Sequence, residues 1–600
     1  MRRFSGRQPT AAENRANDPD IDCAKGRLAM SSTPITVAAA ALLFAASVHG
    51  AAGADQVPRY GRFHHEFAPG EQVEEVEFIA PSGAIDRRPA FAHQPAELVY
   101  DDRGYERIVQ RGSVRQAVRC TPVEIGRYRW RALAGGRMVQ EGEFECVASN
   151  HPGYVQISRR DGRYFALSDG SPYCAIGLNL CWPVGYQGRD GRSLTMGAAD
   201  YRRWFARLAE NGGNFARIWL SNGNLEPEGE VAGELNLAMF ARMDAIIELA
   251  RRQGIRLKLC LEHFRRFTPG SPQSKKIRLP DGRTPASVAE WFNDAAWQQA
   301  WMKKVQAYTA RWGDDPTVMA WELWNEINCC DTGDFKVQLQ WTRRMLPRIR
   351  ALSPRNLVVN SLGSFDNAGH QKLQDAFRMD EMDFQQVHRY LDQGAALKIC
   401  QLPVEFSVDA VKLSRRPDRP VLLAETGAVN DSHTGVFRFC RTDDRGIIFH
   451  DTTFPAFFAG AAGTGHNWFW DSYVEQKNLW YQFRAFADLI SGIRIDEEGF
   501  EAADMSSAEL WVLALRGRRH HLLWLRNRAD TWQQTLRDGR EAPVVAEAAI
   551  DLALAGAGGA PDVKVFRPWP DEKAEVALSG GRLVVRGLRA GLMVRVGVGQ

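Results

Sequence analysis

This 600-residue chain has little of what marks the commoner specialised classes. Net charge is only +4, from 76 Lys and Arg against 72 Asp and Glu. So small an excess gives no case for nucleic acid as a partner. No low-complexity tract appears, and no short repeat beyond a strand–helix alternation in the middle of the chain. No C-x-x-C or other zinc-like spacing is present. The absence of H-x-H and H-E-x-x-H argues against a metal-dependent hydrolase. No G-x-G-x-x-G follows the first strand of the central region, which removes the usual function of a doubly wound sheet. Neither a metal nor an organic cofactor is therefore expected. The longest apolar run, Ile35 to Val48, is too short and too Ala-rich for a membrane span.

That run does suit an export signal. Lys25 and Arg27 precede it, and Ala52-Gly53-Ala54 offers a small-x-small cleavage site. A secreted or periplasmic mature chain is expected, with residues 1–54 as the signal segment. No Cys follows the cut, so no lipid anchor is indicated. Residues 1–29 are long for the polar part of a signal, and Met30 offers a second possible start. Nine of the ten Cys lie beyond the signal; Cys120 and Cys146, on expected strands of one domain, could pair in an oxidising compartment.

Six hundred residues exceed one core, so several domains are expected. Residues 55–150 alternate polar and apolar over short stretches separated by turns such as Ala134-Gly135-Gly136, the pattern of a small β-sandwich. A hairpin around Ser168-Asp169-Gly170 leads into the next domain, 151–495. There, short apolar strands alternate with longer helices eight times. The strands are Cys174–Cys181, Phe215–Ser221, Arg256–His263, Val318–Glu326, Leu357–Gly363, Asp383–Tyr390, Pro420–Gly427 and Gly465–Asp471. In the helix Ala238–Gln253, Phe240, Met243, Ile246, Ile247 and Ala250 keep a 3.6-residue period. The fold class is α/β: a (β/α)8 barrel, with its active site at the C-terminal ends of the strands. Residues 496–600 return to short strands and read as a second β-sandwich, with a structural cap as the leading role and glycan holding as the other. The chain carries 18 Trp; sugar-stacking rings would account for part of them and large cores for the rest.

Two apolar strands each deliver a Glu: Met319-Ala320-Trp321-Glu322-Leu323-Trp324-Asn325-Glu326, and Pro420-Val421-Leu422-Leu423-Ala424-Glu425. A pair of carboxylates facing each other is the minimum equipment for cleaving a glycosidic bond. Glu326 would be the acid that protonates the leaving oxygen, and Glu425 the nucleophile. Arg217 is the natural cation beside Glu425, and Tyr390 can donate to it. Asn325 can hold the sugar 2-hydroxyl. His263 and His388 would bind hydroxyls or tune Glu326. Trp470 offers a face under the reacting sugar, and Trp468 shares its parity on the strand. Any one such residue could be structural; six strand ends with compatible groups make coincidence a poor explanation.

The set resembles the clan A glycoside hydrolases, most closely family 5, the cellulases and β-mannanases. The resemblance covers about 170–495 and rests on Asn325-Glu326, His388-Arg389-Tyr390, Glu425, Trp470, Arg217 and His263. Ala320-Trp321-Glu322-Leu323 is particularly similar to the β-mannanase strand. The Pro that commonly follows Asn-Glu in the family is replaced by Ile327, and the loops match no one subfamily. The resemblance implies a retaining hydrolase of a β-1,4-linked polysaccharide or oligosaccharide, with mannan favoured over glucan. An exo-acting β-mannosidase or β-glucosidase is the alternative among enzymes, since the insertions Arg265–Ala295 and Gln393–Arg416 are long enough to wall off a cleft. A catalytically silent glycan-binding protein would be expected to have lost Glu326 or Glu425, and both are present.

Overall fold

The computed structural model describes residues 55–187, 193–263, 277–552 and 562–598. The export segment expected over 1–54 and residues 265–276 of the first expected insertion lie outside them. No helix among the described residues is long and apolar enough to cross a membrane.

The centre is a (β/α)8 barrel. Seven of its strands are β1 (Gly177–Asn179), β2 (Phe215–Trp219), β3 (Arg256–Cys260), β4 (Val318–Glu322), β5 (Leu357–Val359), β6 (Gln385–His388) and β7 (Val421–Glu425). Strands β1 to β5 pair in order and in parallel, as do β6 and β7. The β5–β6 seam is closed by Asp383 N–H donating to Val358 O (3.1 Å) and Phe365 N–H to His388 O (3.0 Å). The eighth position, expected as the strand Gly465–Asp471, is narrower than that. Only isolated parallel bridges join Asn467 to Leu178 and Thr426, and Gly463 to Ala175. The chain then turns into helix at Trp470–Glu475. These bridges complete the ring, so the barrel has no open edge.

Amphipathic helices cover the barrel. They include α1 (Ala198–Glu210), α2 (Met239–Arg252), α3 (Ala295–Trp312), α4 (Phe335–Leu352), α5 (Ala368–Ala376) and α6 (Pro403–Ser414). In α1, Tyr201, Trp204, Phe205 and Leu208 are buried while Arg202 and Arg203 are exposed, the stripe expected of a helix lying on a sheet. Half of the segment Gln393–Arg416, read from sequence as an insertion able to wall off the cleft, is α6. Pro403 occupies its first turn, where a missing N–H costs nothing.

The N-terminal domain has a five-stranded and a three-stranded sheet. They enclose their own core around Phe63, Phe78, Tyr128, Trp130 and Phe144. The expected Cys120–Cys146 bridge does not form; both are buried free thiols. They sit on strands of different sheets, Arg115–Cys120 and Arg137–Val147. Burial pushes the Cys146 thiol up to about 11. Ion pairs tie this domain to the barrel: Arg119 donates to both oxygens of Asp244 (2.8 and 2.9 Å), Arg88 reaches Asp314 and Arg355 of the barrel reaches Asp86.

The C-terminal domain is also a sandwich, of five and three strands. Its Leu513, Leu515, Leu522, Trp524 and Met593 belong to the same buried cluster as the barrel core. Fully buried Arg526 bridges Asp451 of the barrel (2.9 Å) and Asp530 (2.8 Å). Taking an ion pair out of water is worthwhile only when it is fully hydrogen-bonded, and Arg526 also donates to two carbonyl oxygens. This joint is built as a fixed cap.

Candidate active site

Parallel strands buried on both faces should be apolar throughout. Those of this barrel break that rule where they end at the mouth. The guanidinium of Arg217 in β2 sits at the centre, fully buried. Its Nε and Nη2 grip the Glu322 carboxylate side-on, at 2.6 and 2.9 Å. Its Nη1 donates to Glu425 (2.6 Å) and Asn179 (3.2 Å), and Nη2 also to Asn325 (2.6 Å). These contacts use all five N–H donors of an arginine.

Because Arg217 donates to Asn325 Oδ1, the amide orientation of Asn325 is settled, and its Nδ2 donors are the ones offered to a ligand. Glu425 ends β7 and also accepts from the Tyr390 hydroxyl at 2.5 Å. Burial and the neighbouring Glu425 charge push Tyr390 well up, so it stays a donor. Lys258, buried in β3, lies 3.4 Å from Glu322, and Gln386 donates to Glu322 at 2.9 Å. Burial alone would push Glu322 up, but Arg217 and Lys258 outweigh it and hold the carboxyl at about 2.

Glu326 faces a different partner. His388 Nδ1 lies 3.0 Å from Glu326 Oε1 and 3.6 Å from Glu425 Oε2. Burial holds His388 down at about 4, so the ring is neutral and its Nδ1–H donates to Glu326. The backbone of Glu326 is left-handed, with φ 55°. A non-glycine residue pays for that conformation, and such strain collects at functional sites. Neighbouring bonds hold the turn: Glu326 N–H donates to Ser361 Oγ and Ile327 N–H to Ser361 O. At Gly363 a Cβ would come within 2.9 Å of Cys329 Sγ and 3.5 Å of the Glu326 carboxyl, so that position has no room for a side chain. One carboxylate oxygen of Glu326 and one of Glu425 lie within 4.8 Å of each other, with His388 in reach of both. Two carboxylates and an imidazole could also hold a cation. Here Arg217 and Tyr390 already satisfy Glu425.

The structure brings together Glu326, Glu425, Arg217, Asn325, His388 and Tyr390. His263 sits at the edge of the group, hydrogen-bonded to Ser221 (2.7 Å) and stacked on Trp219 at 5.0 Å. The two tryptophans of the eighth position separate. Trp468 is partly exposed, against Trp219 and Trp182. Trp470, expected under the reacting sugar, is 2% exposed and lies behind Trp182. Trp468 is therefore the ring that can meet a ligand. Arg389 is structural, donating to Asp409 and to Phe365 O.

Sequence reasoning gave no role to Glu322, Lys258, Gln386 or Asn179. The signal was present: each is a polar residue on a fully buried strand, where only a partner inside the barrel can satisfy it. His433 was also missed. It is held at φ 56°, pairs with Asp392 (2.9 Å) and meets the Tyr390 ring edge-on at 5.3 Å.

Buried neutral histidines make the fold sensitive to acid. Burial pushes His151 and His388 down to about 4 and holds His450 and His466 well below the usual histidine range. The unfolded chain takes up these protons near pH 6.5. Each lowered histidine therefore removes about 1.4 kcal/mol per pH unit as pH falls from 6.5 toward 4. His370 and His433, raised by aspartate partners, oppose this but are fewer. Calorimetry should show Tm falling steadily below pH 6.5. A flat Tm down to pH 4.5 would contradict the assignment.

Residues 184–456 match the family Cellulase (glycosyl hydrolase family 5). Mannan endo-1,4-beta-mannosidase 4 of Oryza sativa subsp. japonica is 28% identical over 262 residues, 39% of this chain and 54% of its own length. Mannan endo-1,4-beta-mannosidase 7 of Arabidopsis thaliana is 26% identical over 216 residues, 34% of this chain and 49% of its own. The chain thus spans about half the length of these curated relatives. A crystal structure of a Bacteroides vulgatus ATCC 8482 protein, provisionally described as a glycoside hydrolase, superposes with a TM-score of 0.54 at 14% identity. It covers 90% of this chain and 99% of that one, which shows a shared fold across the domains.

Proposed function

With the barrel a glycoside hydrolase domain of the family 5 type, we propose that the whole chain is an exported retaining β-glycoside hydrolase that cleaves a β-1,4-linked glycan, mannan in preference to glucan. The observation that carries the retaining reading is the close approach of the two carboxylates, within 4.8 Å oxygen to oxygen. Retaining pairs stand about 5 Å apart, whereas inverting pairs need about 6.5–9.5 Å to admit a water.

The asymmetry around the pair supports the division of labour. The buried cations Arg217 and Lys258 are engaged with Glu425 and Glu322, whereas Glu326 faces a neutral imidazole. Glu425, gripped from both sides, attacks the anomeric carbon from the α face of a β-linked sugar. Glu326 gives its proton to the departing oxygen. A glycosyl ester on Glu425 results. Water then enters from the β face, gives a proton to Glu326 and releases a β product. Asn325 Nδ2 can hold the 2-hydroxyl, a contact that strengthens as positive charge develops at the anomeric centre. Tyr390 keeps Glu425 in line for attack.

The preference for mannan is supported by the names of the relatives and by the Ala320–Leu323 stretch. The test is to incubate the protein with mannan, carboxymethylcellulose, xylan and aryl β-glycosides and to size the products. Mid-length manno-oligosaccharides are expected. Release of single sugars alone would replace endo with exo action, and no turnover of any substrate would overturn the reading.

A further inference from the structure

Three of the exposed large side chains, Tyr100 (37%), Val184 (39%) and Tyr186 (38%), belong to two neighbouring segments at one edge of the barrel mouth. Tyr186 lies on the short hairpin Gly185–Gln187/Ser193–Thr195, which follows β1 and precedes α1. Against it stands the turn of another hairpin, Ala96–Tyr100/Glu106–Gln110, contributed by the N-terminal sandwich. The ring of Tyr105 in that turn meets the ring of Tyr186 at 5.2 Å across the two domains.

The turn is anchored firmly for a surface feature. Asp101 Oδ1 accepts the N–H groups of Arg103 and Tyr105, both at 2.9 Å. Glu106, the next residue, is 5% exposed. It caps α1 by accepting Ala198 N–H at 2.7 Å, and it pairs with Arg242 of α2 and with the Tyr100 hydroxyl. The guanidinium of Arg103 lies 5.3 Å from the Tyr105 ring centre and remains largely exposed. A rigid aromatic pair with a donor beside it has the chemistry that meets the apolar face and the hydroxyl rim of a sugar.

The pair is continuous with the active site. Trp182, four residues before Tyr186, packs on Trp219 and Trp468 at 5.3 Å each. Four residues of extended chain reach at most about 14 Å, and Tyr186 is exposed where Trp182 is half-buried, so the tyrosines stand just outward of the tryptophans. The acid Glu326 follows β4, on the far side of an eight-strand ring from β1. The leaving group belongs to the Glu326 side, so the β1 side faces the part of the glycan that stays attached to Glu425.

We propose that Tyr105 of the N-terminal sandwich and Tyr186 of the first barrel loop form a distal sugar-binding subsite on the glycone side, making the sandwich a part of the substrate cleft. The occupant is the non-reducing end of the β-linked chain being cut. This rests on the glycosidase reading above.

The test compares kcat/KM of the full chain and its Tyr105→Ala, Tyr186→Ala and doubly substituted variants on manno-oligosaccharides of two to six sugars and on an aryl β-mannoside. The expected result is a loss of about 3- to 10-fold per variant on the longest substrates, with the aryl glycoside and the disaccharide unchanged. The rise of kcat/KM with chain length should flatten. Equal loss at every length, accompanied by a lower Tm, would assign the tyrosines to packing between the domains and overturn the subsite. Unchanged rates on the longest substrate would also overturn it. A wild-type enzyme that turns over none of the series fails the glycosidase reading itself, an outcome distinct from either variant result.

Discussion

Glu425→Ala and Glu326→Ala enzymes supplied with azide should yield opposite anomers of the glycosyl azide. Without azide, each should lose on the order of 10^4-fold or more in kcat on a glycan. In Glu425→Ala the α face of the reacting sugar is open, so azide takes the place of the carboxylate and gives an α-glycosyl azide. In Glu326→Ala the glycosyl ester still forms from an aryl glycoside, whose leaving group needs little help from an acid. Azide, which needs no general base, then attacks that ester from the β face and gives a β-glycosyl azide. Proton NMR distinguishes the two. Products of one anomer from both variants would mean that the roles of Glu326 and Glu425 are misassigned. Wild-type enzyme releasing an α sugar first would rule out retention.

Arg217→Ala should unfold the barrel mouth as well as silence it. Arg217 holds two carboxylates and two amides in a fully buried place. Removing one partner from a buried ion pair costs about 3–5 kcal/mol, because the remaining charge is left uncompensated. Acid sensitivity should shift with it. Glu322 is held at about 2 against burial by Arg217 and Lys258. Its share of stability is therefore present above the ordinary carboxylate range and lost as pH falls through that range toward 2. Without the guanidinium, burial prevails and the loss begins at higher pH. Arg217→Lys should recover little, since an ammonium is a point charge that cannot fork between Glu322, Glu425, Asn325 and Asn179. Thermal denaturation from pH 4 to 8, with kcat measured where each variant is folded, checks both parts. A variant with unchanged Tm and kcat would show that the network does not depend on this residue.

Much of the architecture was written in local pattern. The strand–helix alternation over 174–495 names the barrel because each apolar strand needs a covering helix and a parallel neighbour. Glu326 and Glu425 were legible because each ends an apolar strand, and a barrel places its chemistry there. Arg217, Asn325, His388 and Tyr390 were legible by the same rule. Tryptophan was a weaker guide. Trp204, Trp297, Trp312, Trp321, Trp324 and Trp341 are all in the core, so the abundance of that residue mostly reports large packed interfaces.

What the chain determines by itself is what depends on neighbours in sequence: period, strand ends, caps and turns. The tertiary structure decided everything that depends on which strand faces which. Glu322 reads as one more strand residue until the barrel interior brings Arg217 of β2 and Lys258 of β3 against it on β4. Trp468 and Trp470 share a parity that would place both in the cleft if the strand continued. The chain instead leaves the extended conformation at Trp470, which turns that ring inward and leaves Trp468 as the open face. The left-handed turn at Glu326 is invisible in an Asn-Glu-Ile sequence, because its cost is met by Ser361 and Gly363 after a different strand. The meeting of Tyr105 with Tyr186 joins two domains whose sequences carry no sign of each other. Such contacts follow from the packing of finished elements, and no local pattern encodes them.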